Sequence, residues 1–103
     1  MDDVLVRIKR AMLEGRYLFS EKASEELEAD GLTDSDVAEA ILNAVAIYKT
    51  LRSRSPQRRQ RAEKLYDIVG TNMVGLPIYT KGKFLSDDVR ETYYFLISSK
   101  LAE

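Results

Sequence analysis

Apolar residues recur every three or four positions through the first 44 residues, a spacing that predicts amphipathic helices. The first helix ends near Gly15, and its apolar side carries Val4, Leu5, Ile8, Ala11 and Met12. Ser20 is a good N-cap for a second helix, which ends at Gly31. A third helix begins at a T-x-x-D capping pattern formed by Thr33 and Asp36.

After residue 46 the spacing gives way to short runs rich in β-branched and aromatic residues, which predict strands. The four predicted strands cover residues 47–51, 65–69, 76–79 or slightly beyond, and 92–98. Gly82 and the Ser-Asp-Asp cluster at residues 86–88 are predicted to mark the turn before the last strand. Helices first and strands afterwards predict an α+β fold, with three N-terminal helices packed on a four-stranded antiparallel sheet.

The composition predicts one globular domain over residues 1–103, since 45% of the residues are apolar and 32% are charged. No apolar run approaches the roughly 20 residues that a membrane span needs. The N-terminus, MDDVLVRIKR, lacks the pattern of a signal peptide. We therefore expect no membrane association and a cytoplasmic location, with which the absence of cysteine is compatible.

Histidine is absent as well, and this excludes several classes of chemistry. Neither Ser-His-Asp nor Cys-His catalysis is available, and neither is a zinc site built on histidine or cysteine. No EF-hand spacing supports an all-carboxylate metal site, so we expect no metal and no cofactor. Any catalysis must use lysine, arginine, tyrosine, serine or carboxylates.

The charge is divided unevenly along the chain. Residues 1–48 carry a net charge of −6 and residues 49–103 a net charge of +5. Residues 49–64 contain seven Lys or Arg against a single acid, Glu63, and five of the seven are arginines: Arg52, Arg54, Arg58, Arg59 and Arg61. This segment is either a contact for phosphates or for an acidic partner, or a solvated connection between strands. It holds no aromatic residue, so it would contact phosphates without reading bases.

Further cations and one phenol lie on or near the last two predicted strands. They are Tyr79, Lys81, Lys83, Arg90 and Lys100. A sheet brings such residues together across neighbouring strands. The alternative is that tyrosines fill the core while lysines protect the sheet edges.

The order of elements and several segments resemble the RelE-like bacterial toxins, in particular the motility quorum-sensing regulator (MqsR) type, and related uncharacterised small proteins. The segments are "IYKTL", "EKLYDIVG", "GLPIYTKG" and a last strand ending in "ISSK", and the resemblance spans most of the chain. It implies a metal-independent endoribonuclease that cuts messenger RNA and belongs to a type II toxin–antitoxin pair. In this chemistry a ribose 2′-OH attacks the adjacent phosphate while another group protonates the departing 5′ oxygen.

The resemblance also implies roles for individual residues. Lys49 in "IYKTL" resembles the family's catalytic lysine, and Tyr79 in "PIYTK" resembles its catalytic tyrosine. Glu63 stands where some members have a glutamine.

Further candidates are chosen on charge alone, for stabilising a phosphorane. They are Lys81, Lys83 and Arg90, and Lys83 is also grouped with the five arginines as RNA-binding. The expected partners are RNA and an acidic or zinc-binding antitoxin-like protein. The alternative is a non-catalytic RelE-like module that binds a protein partner through its basic face.

Overall fold

The computed structural model describes residues 3–52, 63–86 and 92–102. Within these ranges the helices are α1 (Asp3–Leu13), α2 (Glu21–Ala29) and α3 (Asp34–Asn43). The strands are β1 (Tyr17–Phe19), β2 (Lys49–Arg52), β3 (Lys64–Thr71), β4 (Pro77–Ser86) and β5 (Thr92–Leu101). The predicted α+β class is confirmed. No helix in the described ranges has the length and apolar character needed to cross a membrane.

Both predicted N-caps are confirmed. The Ser20 hydroxyl accepts a hydrogen bond of 3.0 Å from the Ala23 amide at the start of α2. At the start of α3, Thr33 and Asp36 form a complete capping box, in which the Thr33 amide donates to the Asp36 carboxylate at 2.8 Å. The bond from Thr33 holds the pKa of Asp36 below its usual value, and a smaller contribution comes from a hydrogen bond that the Asn72 side chain donates to the same carboxylate. Short-range signals in the sequence are therefore sufficient to place these two helix starts.

The prediction of a four-stranded antiparallel sheet is wrong in one respect. The sheet has five strands in the order β1-β5-β4-β3-β2, and β1 runs parallel to β5 while the other pairs are antiparallel. The additional strand β1 is three residues long and pairs with Tyr94, Phe95 and Leu96 of β5. A run this short has no detectable period, and only its pairing with a strand 77 residues later in the chain makes it a strand.

The helices cover one face of the sheet and bury the core against it. Buried apolar side chains of this core include Leu5, Ile8, Val37 and Ile41 from the helices, and Tyr66, Ile68, Ile78, Tyr94 and Leu96 from the strands. Helix α3 lies so close to β3 that a Cβ atom at Gly70 would be 1.9 Å from the carbonyl oxygen of Ala40. Glycine at this position therefore allows the backbones of the helix and the strand to touch.

The prediction that Gly82 marks a turn is also wrong. Gly82 lies inside β4, which continues to Ser86, and it is paired with Leu96 of β5. A Cβ atom at this position would be 2.4 Å from Cζ of the Tyr94 ring, which is fully buried. Glycine is needed here because the ring occupies the space of a side chain, and not because the chain turns.

Helix α2 protects the edge of β5 beyond the end of β1. The Glu26 carboxylate accepts hydrogen bonds from the Ser98 hydroxyl at 2.6 Å and the Ser99 amide at 3.2 Å. One helical turn later, the Asp30 carboxylate accepts a bond of 2.8 Å from the Leu101 amide. These amides would otherwise be unpaired donors on a strand edge. The same contacts bring the C-terminal end of α2 next to the end of β5.

Candidate functional site

The face of the sheet opposite the helices carries the candidate catalytic residues. Side chains alternate along a strand, so the core residues Tyr66 and Ile68 place Asp67 between them on the opposite face. We call this surface the open face and define it by Lys49, Asp67, Val69, Tyr79, Lys81 and Lys100, which follow from the strand register. It draws residues from four strands, β2 to β5. Lys49 and Tyr79, which the resemblance pairs as catalytic residues, therefore lie on the same face.

Asp67 lies at the centre of the open face. It is directly opposite Lys49 of β2 on one side and Lys81 of β4 on the other. Only 6% of Asp67 is exposed, and its Oδ1 atom accepts a hydrogen bond of 3.1 Å from the Tyr79 phenol. Within the described ranges neither lysine forms an ion pair with Asp67, so both amines can interact with an added anion. We call Lys49, Asp67, Tyr79 and Lys81 the Asp67 cluster.

The phenol of Tyr79 is held in its protonated form. Burial raises the pKa of Tyr79 to about 12, and the charge of Asp67, its hydrogen bond and the charge of Glu26 act in the same direction. At neutral pH the phenol therefore donates to Asp67 and does not remove a proton from another group. The Lys100 amine lies 5.8 Å from the centre of the Tyr79 ring, close enough for a cation–π contact.

This arrangement predicts that Asp67→Asn lowers the pKa of Tyr79 from about 12, because the negative charge beside the phenol is removed while burial stays. The measurement is a tyrosine titration by NMR in the wild-type protein and the variant. Asp34→Asn, at an exposed acid in the first turn of α3, is the matched control. An unchanged Tyr79 titration in Asp67→Asn would contradict the hydrogen-bonded arrangement.

The other predicted site residues are distributed differently. Lys83 is paired with Glu63, with 3.0 Å between the amine and the carboxylate, so part of its charge is already neutralised. Arg52 is exposed at the end of β2. The remaining candidates lie outside the described residues, and their roles stay predictions: Arg54, Arg58, Arg59, Arg61 and Arg90.

Asp67 is the residue that the sequence analysis missed. It shares a face with Leu65 and Val69 in "KLYDIVG", so a charged residue inside an otherwise apolar strand was the available signal. A charged residue in a strand does not by itself indicate a site. Only the strand register shows that a lysine lies on each side of Asp67. Lys100 was noted as a cation near the sheet, and the structure places it directly opposite Tyr79.

A shallow pocket of about 630 Å³ adjoins the Asp67 cluster at one end of the open face. It is lined by Asp30, Tyr48, Val69, Tyr79, Lys100, Leu101 and Ala102. Tyr79 is thus shared by the Asp67 cluster and the pocket.

Comparison of the chain with protein-family models, with curated proteins and with solved structures finds no match. In the part of the chain that the structure describes, no group of three or more aspartate or glutamate side chains is placed to hold a metal ion.

Proposed function

We propose that the protein is a metal-independent endoribonuclease of the RelE-like type, the toxin of a type II toxin–antitoxin pair, and that it cuts messenger RNA on the open face. The observation that carries this proposal is the Asp67 carboxylate, fixed by the Tyr79 phenol between Lys49 and Lys81. The family assignment itself rests on the resemblance of the sequence segments named above.

Asp67 is the proposed general base. In the reaction, the 2′ oxygen of a ribose loses its proton and forms a bond to the adjacent phosphorus, while the bond from phosphorus to the 5′ oxygen breaks. Because Oδ1 of Asp67 accepts from Tyr79, Oδ2 is the atom that takes the 2′ proton. Tyr79 orients the carboxylate, and its raised pKa of about 12 keeps the phenol protonated throughout.

Lys49 and Lys81 are the proposed partners of the phosphate. They flank Asp67 across two strand spacings, so their backbones are roughly 10 Å apart and a phosphate fits between the two amines. Their positive charges stabilise the doubly charged phosphorane, and one of them gives its proton to the departing 5′ oxygen. The products are a 2′,3′-cyclic phosphate and a 5′ hydroxyl. Lys100, directly opposite Tyr79, adds a third positive charge to the open face.

The second candidate is a non-catalytic module that binds a protein partner. Its support is the turn between β3 and β4, where Met73 is 75% exposed and Val74 is 79% exposed. The turn is held in place, because the Asn72 side chain accepts from the amides of Val74 and Leu76 and donates to Asp36. Two exposed apolar side chains on a fixed turn offer a small apolar surface to a protein partner.

Incubation of the purified protein with a messenger RNA in EDTA separates the two candidates. We expect cleavage that leaves 2′,3′-cyclic phosphate and 5′-hydroxyl ends. Lys49→Ala and Tyr79→Phe should each slow it by about 100-fold or more. Lys49→Ala removes a positive charge at the reacting phosphate, and Tyr79→Phe removes the hydrogen bond that orients the Asp67 carboxylate.

Arg10→Ala is the control, since Arg10 is an exposed cation on α1, which packs on the face of the sheet opposite the Asp67 cluster. Cleavage at the wild-type rate in both test variants would remove the site assignment. No cleavage by the wild-type protein on several RNAs would reject the nuclease and favour the binding module.

A further inference from the structure

The pocket next to Tyr79 shares that residue with the Asp67 cluster, and the cleavage step proposed above gives no role to Asp30 or Tyr48, which also line it. It extends from Tyr48, the residue before β2, across Val69 of β3 and Tyr79 of β4 to Lys100 of β5. Neighbouring strands are about 4.8 Å apart, so the pocket is on the order of 14 Å long. Its volume of about 630 Å³ lies in the range of small-ligand sites and suits one nucleotide.

Tyr48 supplies a flat aromatic surface at one end of this pocket. Its side chain is 73% exposed, while its backbone is fixed by a hydrogen bond of 2.8 Å from its amide to the Asp67 carbonyl. Val69, which is 37% exposed, adds an apolar floor beside it. An exposed ring on an anchored backbone is a stacking platform for a base, and stacking needs little further ordering of the protein.

The opposite end of the pocket is polar and carries both signs of charge. The exposed amine of Lys100 lies near the Tyr79 ring and can contact a phosphate. Asp30 reaches the pocket from the end of α2, where its Oδ2 atom accepts from the Leu101 amide at 2.8 Å. Oδ1 of Asp30 has no hydrogen bond among the described residues, so it is available as an acceptor for an added donor.

We propose that this pocket is a nucleobase subsite for the RNA that the Asp67 cluster cuts, an inference that rests on the proposed function. Tyr48 stacks on the face of the base next to the scissile phosphate, and Lys100 contacts the neighbouring phosphate. Asp30 accepts a hydrogen bond from an exocyclic amino group on the base. The subsite therefore prefers cytosine, guanine or adenine over uracil, which has no exocyclic amino group.

Binding of RNA that cannot be cut tests the subsite without any need for catalysis. The probes are the fully 2′-O-methylated trinucleotides UCU and UUU. Cytidine and uridine monophosphates serve as free-nucleotide comparisons, and all four dissociation constants are measured by calorimetry. We expect UCU to bind more tightly than UUU. Tyr48→Ala should weaken UCU binding by about 5- to 150-fold, the range for losing one stacked base, while Tyr48→Phe should retain it.

Asp30→Asn tests the amino-group contact separately. The asparagine oxygen can still accept from the Leu101 amide, and its amide group then presents a donor where the carboxylate presented an acceptor. This variant should bind UUU at least as tightly as UCU. Leu18→Ala, at an exposed position on β1, is the control that should change neither affinity.

Wild-type affinity for UCU in Tyr48→Ala would overturn the subsite. Equal affinity for cytidine monophosphate and UCU would overturn the assignment to RNA and indicate a site for free nucleotides. Failure of the subsite and failure of the nuclease proposal give different results. Intact binding without cleavage rejects only the nuclease, whereas cleavage whose sites and binding are unaffected by Tyr48→Ala rejects only the subsite.

Discussion

Asp67→Asn is expected to reduce RNA cleavage by about 100- to 10,000-fold, the usual contribution of a general base. Asparagine has nearly the shape of aspartate and still accepts the hydrogen bond from Tyr79, but it cannot take a proton from the ribose 2′ hydroxyl. The variant therefore removes the chemistry and leaves the packing of the Asp67 cluster in place. The measurement is the initial rate of cleavage of a labelled RNA in EDTA, compared at equal protein concentration.

The affinity for RNA should not fall with the cleavage rate. Removing the negative charge leaves Lys49 and Lys81 without a neighbouring anion, so a non-cleavable RNA should bind to Asp67→Asn as tightly as to the wild-type protein or more tightly. A loss of rate at undiminished affinity is not expected of damage to the fold. Asp34→Asn, remote from the open face, should retain the full rate. A wild-type rate in Asp67→Asn would show that Asp67 only supports Tyr79 and is not the base.

Gly70→Ala is expected to destabilise the protein by about 3 kcal/mol or more. Overpacking a core typically costs about 1–3 kcal/mol when neighbouring side chains can move. Here the new Cβ atom would be 1.9 Å from a backbone oxygen, that of Ala40, so α3 itself must shift away from β3. At about 4 °C or more per kcal/mol for a domain of this size, the melting temperature should fall by at least about 12 °C. Urea unfolding followed by circular dichroism measures the free energy of unfolding.

Two variants serve as comparisons for Gly70→Ala. Thr71→Ala changes the exposed neighbour on the same strand and should alter the free energy of unfolding by roughly 0.5 kcal/mol or less. Gly82→Ala should fall between the two, because its neighbour is the Tyr94 ring, a side chain that can rotate. If Gly70→Ala were as stable as Thr71→Ala, the close approach of α3 to β3 would be refuted.

The elements that the sequence predicted well are those determined by neighbouring residues. The starts of α2 and α3 follow from Ser20 and from the Thr33–Asp36 pair, whose hydrogen bonds span three residues. The apolar spacing of α1 and α3 likewise predicts which of their sides are buried. The predictions failed where the cause was distant in the chain. Gly82 resembles a turn residue until the Tyr94 ring is placed beside it, and β1 is a strand only because β5 pairs with it.

The same distinction applies to the candidate site. Lys49 and Tyr79 were named from a resemblance, and the sequence alone did not show that they share a face with each other. The register of β2, β3 and β4 decides this, because a shift by one residue would move a side chain to the opposite face. Asp67 was missed for the same reason, since its importance depends on what lies across the strands from it.

By itself, the amino-acid sequence determined the α+β class, the helix starts and the absence of histidine and cysteine, because each of these depends on composition or on residues a few positions apart. The tertiary structure alone decided that Asp67 lies between Lys49 and Lys81, and that Asp30 and Tyr48 reach opposite ends of one pocket. The physical reason is that strand pairing joins residues far apart in the chain. Their side chains meet only after the backbone hydrogen bonds of the sheet have formed.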